Sequence, residues 1–310
     1  MSESQKAAGL PIRTGLTRLI ATLTDFSTRK PLGAAGGAIL AVLILIAILA
    51  PVISPHDPYH PNAAAIYALP GSVYPLGADE AGRDVMSRLF YGARISLTVS
   101  LISVAIGTTL GLLLGVVSAY IGGWFDLLVQ RLIDALMAFP TIILALGIMA
   151  VLGASVPNVI LALVFIMAPG TARTIRSQAL SIKELDYVTA ARAAGCSHVR
   201  IIFLHMVPNL FAICLVLATL QLGLAIITEA SLSFLGVGVP PDVPTWGGML
   251  RVAAQAFVGV APWLAVFPGL TIALAVFGVN LLGDALRDVL DPRLRSDSGT
   301  NGVKTEGGSR

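Results

Sequence analysis

The residues best suited to acid–base or metal chemistry in this 310-residue sequence are its four histidines, and their spacing supports neither. His56, His60, His198 and His205 are not accompanied by Cys or carboxylates at the intervals a metal site needs. Asp79, Glu80 and Asp84 cluster, but their spacing does not match a calcium loop, so they read as turn and helix-cap carboxylates, with Asp84 an N-cap. Cys196 and Cys214 form neither a disulfide framework nor a zinc motif. No Lys follows a Gly, which excludes a Gly-x-x-x-x-Gly-Lys-Ser/Thr phosphate loop. The chain is therefore expected to bind no cofactor of its own, and transport suits it better than catalysis.

One ionisable residue stands apart. Glu229 lies in an otherwise uncharged apolar stretch, where a carboxylate is costly and needs a reason. It reads either as a contact to a translocation pathway or second subunit, or as a group hydrogen-bonded inside a helix bundle. A proton relay would need several such groups.

The surrounding elements must be membrane helices. Apolar residues make up 56% of the chain and charged residues 12%, about half the charged share of soluble proteins. A net charge of +3 does not suggest nucleic acid. A bilayer core of about 30 Å needs about 20 apolar helical residues. Runs of that kind are Gly33 to Ile53, Ile95 to Phe125, Ala135 to Ala172, Asn209 to Leu235 and Ala261 to Gly283. The third is long enough to cross twice, turning at Gly153-Ala154-Ser155-Val156-Pro157-Asn158. Six transmembrane helices result, an all-α polytopic membrane protein.

With the N-terminus inside, sixteen of the 20 basic residues fall on inner segments, and only Arg83, Arg88, Arg94 and Arg251 fall outside. That asymmetry predicts cytoplasmic N- and C-termini. The first apolar run ends Ile48-Leu49-Ala50-Pro51, without the small residue a signal-peptidase site wants, and is expected to stay in the membrane. The resulting organisation is a cytoplasmic segment 1–32, a first span 33–53, an outer loop 54–93, a core 94–284 with an inner segment 173–207, and a tail 285–310. Within 1–32, Leu16, Leu19, Ile20 and Leu23 make an apolar stripe beside Arg13 and Arg18, which describes an interfacial helix.

Further patterns bear on how the elements pack. Ser103, Gly107, Gly111, Gly115 and Ala119 recur every four residues, a stripe of small side chains that lets another helix approach closely. A helix of the same chain is the expected partner. Arg131 and Asp134, three apart, are expected to pair with each other. In the inner segment, Ile182, Leu185, Val188, Ala191 and Ala194 recur every three residues and suggest an apolar side. Gly195 interrupts, and a second short piece from His198 to Met206 leads to Pro208 at the start of the fifth span. Two short helices at an angle would protrude from the membrane.

Thr189-Ala190-Ala191, Gly195 and His205-Met206-Val207-Pro208 resemble the EAA signature of permease subunits in binding-protein-dependent ABC importers. The departures are Thr189 for Glu, His205 for Ile and Val207 for Leu. The segments Leu76 to Arg88, Tyr91 to Leu97, Glu229 to Gly236, Pro240-Pro241 with Trp246-Gly247, Asn280 to Asp284 and Leu290 to Arg293 are similar to the dipeptide/oligopeptide permease family, C-type subunit. The resemblance runs from about residue 33 to 295. It implies the type I ABC importer permease fold in a bacterial inner membrane, with a second permease, two ATPase subunits that use ATP and Mg, and an extracytoplasmic substrate-binding protein as partners. By the same resemblance Tyr187, Thr189, Ala190, Ala191, Gly195 and Pro208 belong to the element that couples to an ATPase subunit. An ion-gradient-driven secondary transporter is the alternative; it favours paired intramembrane charges and an inverted repeat, and neither is seen. A membrane-embedded hydrolase would need a nucleophile and base at one depth.

Overall fold

A computed structural model describes residues 27–28, 30–255 and 259–290, so the stripe at Leu16 to Leu23 and the tail beyond 290 lie outside the described residues. Within them the regular structure is helical, apart from one isolated β-bridge between Ala78 and Asp84. Five helices are long and apolar enough to cross a membrane, and a bent pair makes a sixth crossing if counted as one.

The first helix, α1 (Pro31–Ile53), is followed by a loop with a short 3-10 turn at Ala63–Ala65. Asp84 then caps α2 (Val85–Ile121), accepting from the Ser87 N–H at 3.0 Å. The helix thus starts well before the apolar run at Ile95, and Arg88 and Arg94 lie on its first turns. It also ends before Phe125, because Gly122 at φ +71° breaks it. Residues Gly123–Met137 form a separate helix, α3.

The third crossing is where the structure departs furthest from expectation. The run from Ala135 does not rise as one helix: α3 meets α4 (Thr141–Leu152) at 93°. Pro140 is the cause, since it has no N–H to donate and it disfavours helical geometry at Phe139. At 12 residues, α4 is about 18 Å long and cannot cross a bilayer core alone. The return turn sits where the sequence places it. Gly153 takes φ +81°, and Ser155 caps α5 (Val156–Lys183), accepting from Asn158 N–H at 3.2 Å.

The most extensive helix pair is α2 against α5. An added Cβ at Gly111 would lie 2.8 Å from Ala168 O, and one at Gly115 would lie 2.5 Å from Ala172 O. These backbones touch, which only glycine permits. The partner of the small-residue stripe is therefore a helix of the same chain: Gly107 faces Met167, the Ser103 hydroxyl lies 3.5 Å from Ile160 O, and Lys183 donates to Ala119 O at 3.1 Å.

Asp134 does not pair with Arg131. It pairs with Arg173 of α5, while Arg176 Nε donates to Asp126 Oδ1 at 2.6 Å and Arg131 stays exposed. A neighbouring helix supplies a better partner than the local i, i+3 geometry. The remaining elements are a short helix α6 (Asp186–Ala193), a long helix α7 (His198–Leu235), α8 (Trp246–Gln255) and α9 (Trp263–Leu290). Close approach recurs between α1 and α9, where a Cβ on Gly36 would lie 2.5 Å from Gly278 O.

Candidate functional site

The segment 173–207 forms a compact knuckle at the ends of α2, α5 and α7. Glu184 closes α5 and Leu185 stands at the N-cap of α6, so the chain turns within these two residues. Its only buried residue is Val188, which enters an apolar cluster with Val116 and Tyr120 of α2, Ile175 of α5, and Ile201 and Met206 of α7. The residues spaced by three from Ile182 to Ala194 do not form one apolar side. Ile182 and Ala191 pack partly against the cluster, but Leu185 and Ala194 are exposed. A period of three drifts about 60° per step around a 3.6-residue helix, and Leu185 is not helical, so the five residues cannot share one face.

Polar contacts fix the knuckle's orientation. Tyr187 donates its hydroxyl to His205 O at 3.3 Å and accepts from Asn209 Nδ2 at 3.0 Å. Tyr120 and His198 meet at 2.8 Å between the hydroxyl and Nδ1, and the Arg192 guanidinium lies 5.8 Å from the Tyr120 ring centroid, within cation–π range. Sequence reasoning missed the Tyr120–His198–Arg192 contact, because no local pattern joins residues 78 positions apart. Thr189 and Ala190 point outward and are exposed. Gly195 takes φ +77°, with open space where a Cβ would sit.

The second protruding helix expected after Gly195 is not separate. His198 begins α7, which runs on through a π-helical turn at Ile201–Met206. That widened turn answers Pro208, which has no N–H and crowds the carbonyl four residues back. Asn209 Nδ2 donates to the His205 carbonyl at 2.7 Å.

In the loop between α1 and α2 the acidic cluster is structural. Asp79 accepts from the N–H groups of Ala81 and Arg83 at 2.9 Å each and from Arg83 Nε at 2.8 Å. Burial, then Asp79, push the Glu80 carboxyl up from its ordinary value. His56 Nδ1 lies 3.5 Å from the Asp84 carboxylate.

Glu229 is fully buried in the chain's own interior. Its Oε1 accepts from the Ser233 hydroxyl at 2.9 Å, and Ser96 of α2 stands beside the same carboxyl. The geometry is that of a group hydrogen-bonded within the bundle, not one facing open water.

Residues 107–296 match the family described as binding-protein-dependent transport system inner membrane component. The chain belongs to this family. Residues 28–70, covering α1 and part of the loop after it, match the N-terminal TM domain of oligopeptide transport permease C. The dipeptide transport system permease protein DppC of Alkalihalophilus pseudofirmus is 40% identical over 86% of this chain and 88% of its own length. The glutathione transport system permease protein GsiD of Pectobacterium atrosepticum is 40% identical over 86% and 89%. The di/tripeptide transport system permease protein DppC of Pseudomonas aeruginosa is 39% identical over 85% and 89%. The protein is thus a multi-pass permease component of a binding-protein-dependent ABC importer, with the type I importer permease fold, and an ion-gradient-driven secondary transporter is disfavoured.

Proposed function

We propose that this permease carries dipeptides or oligopeptides through a bacterial inner membrane, forming the pathway with a second permease. Two ATPase subunits below hydrolyse ATP with Mg, and an extracytoplasmic binding protein delivers the cargo. The cargo class rests on the dipeptide and di/tripeptide relatives. The mechanical reading rests on one observation: α6 is preformed, exposed along most of its surface and anchored by a single buried valine.

Such an element can be gripped from outside without disturbing the core. Thr189, Ala190 and Ala191 offer small side chains for close contact with an ATPase groove. Tyr187 ties α6 to the start of α7 through His205 and Asn209. Gly195 supplies the left-handed bend between α6 and α7. Pro208 marks the widened turn where α7 can flex. Displacement of α6 is then passed through Val188 to α2, α5 and α7 together, and ATP-driven closure shifts the permease pair between inward-open and outward-open states. Both termini and α6 would face the cytoplasm.

Co-purification with an ATPase, followed by uptake of a labelled dipeptide into proteoliposomes containing the complete importer, tests the function. Uptake should require ATP; accumulation by the permease alone, against a gradient, would refute it. Orientation is tested in a chain whose Cys196 and Cys214 are replaced by alanine. Ser72→Cys should react with a membrane-impermeant maleimide in intact spheroplasts, and protection there would overturn the topology.

A further inference from the structure

Two helices reach from the knuckle to the opposite side of the molecule. At 37 and 38 residues, α2 and α7 are each about 55 Å long. Their inner ends hold Val188, and their outer ends hold α8 between them. The first residues of α8 form a wedge. Trp246 Nε1 donates to Leu89 O of α2 at 3.2 Å, and its backbone N–H lies 3.4 Å from Ser96 Oγ. The Trp246 ring enters a cluster with residues of α1, α2, α7 and α9. Beside it, Gly247 rests on α7 so closely that a Cβ would lie 2.2 Å from Ala230 O.

Glu229 occupies this junction. It directly precedes Ala230, its carboxyl is bonded to Ser233 one turn outward, and Ser96, which meets the Trp246 backbone, is its neighbour on α2. Gly238, in the loop that leads to α8, is packed against the same Ser233. Glu229 Oε2 and Ser100 Oγ, both buried, have no hydrogen-bond partner among the described residues. A polar nest has therefore been placed where α2, α7 and the loop into α8 converge, in surroundings that are otherwise apolar. Packing alone would be served better by leucine, since a buried polar group without full satisfaction is costly.

We infer that Glu229 is a positioning residue for transport: through Ser233 and Ser96 it keeps the α8 wedge seated between the outer ends of α2 and α7. Movement of those helices at the knuckle then moves the outer wedge as one piece. The inference rests on the importer reading above and extends it to a residue that touches neither cargo nor ATPase. Shape and hydrogen bonding at Glu229 are what it requires, not charge.

The test uses the complete importer in proteoliposomes and the ratio of dialanine taken up to ATP hydrolysed. Glu229→Gln should keep this ratio within about twofold, while Glu229→Leu should lower it at least fivefold and Ser233→Ala should fall between. A second readout needs no transport. Thr245, which immediately precedes α8, is buried, so a Thr245→Cys thiol, in a chain without its natural cysteines, should be protected from an impermeant maleimide. Glu229→Leu should raise its labelling rate at least fivefold, and Glu229→Gln should not. If Glu229→Gln fails as badly as Glu229→Leu, the charge is the requirement and the inference is wrong. If uptake and hydrolysis fall together with the yield of folded protein and labelling is unchanged, Glu229 is merely structural and the inference is equally wrong. Should the unmodified importer take up no dipeptide, the functional reading fails, and the labelling comparison still decides the role of Glu229.

Discussion

The α2–α5 ridge and the α6 knuckle are built on opposite principles. In the ridge, glycines at 107, 111 and 115 bring two helices to backbone contact, and Gln221 of α7 donates to Thr171 of α5 at 2.6 Å beside them. In the knuckle, an eight-residue helix is held by one buried side chain and a few polar contacts. Lipid supplies no hydrophobic drive between helices, so the ridge depends on short-range dispersion, which falls away steeply with separation. The knuckle lies beyond the spans, where an apolar plug such as Val188 is stabilised by leaving water. In the proposed mechanism the ridge is the scaffold that does not yield and the knuckle the handle that is pulled.

The contrast is broken most directly at Gly115. A Gly115→Leu side chain would meet Ala172 O and the backbone of Arg176, neither of which can step aside. Overpacking of this kind costs about 1–3 kcal/mol or more, and folded protein recovered by size exclusion in detergent should fall sharply. Next is Val188→Ala, which empties part of the knuckle cluster. A loss of roughly 1–3 kcal/mol is expected from transfer and cavity effects together, read as a lower melting temperature with α-helix content retained.

Gly195→Glu separates stability from function. A non-glycine residue in left-handed geometry costs roughly 1–2 kcal/mol, and the surrounding space is open, so the fold should survive with a small melting shift. Uptake by the complete importer should nevertheless drop while ATP hydrolysis continues. Unchanged uptake would remove Gly195 from the coupling role. The smallest effect is expected from Arg173→Ala. Its partner Asp134 and Arg173 itself are both about half exposed, and such pairs contribute about 0–1 kcal/mol. A melting temperature lowered as far as by Val188→Ala would show that the ion pair, not the apolar plug, holds this side of the molecule.

Several features were legible because they are local. The turn at Gly153 to Asn158 needs only a left-handed glycine and a Ser cap, and both are visible as residues. The four-residue period of small side chains announces close helix packing wherever it occurs in a membrane span. Asp84 could be read as a helix cap because its short carboxylate suits that position, and it accepts from the Ser87 N–H. The misreadings have a common origin. Asp134 found Arg173, not Arg131, because α5 lies alongside α3. Spacing alone puts Leu185 and Ala194 on an apolar face, although the chain turns between α5 and α6 and both are exposed. Pro140 was visible, but the 93° elbow it makes depends on where α4 can pack.

Membrane residence, the succession of spans, the charge asymmetry across them and the absence of a phosphate loop follow from the order of residues, because partition into a bilayer and local backbone chemistry act over a few helical turns. Which helices touch, and which polar groups meet, did not. Tyr120 reaches His198, Arg176 reaches Asp126, and Glu229 settles beside Ser96 only once α2, α5 and α7 stand side by side. These pairings join residues scores of positions apart, and a hydrogen bond or ion pair depends on distances that only the assembled bundle defines.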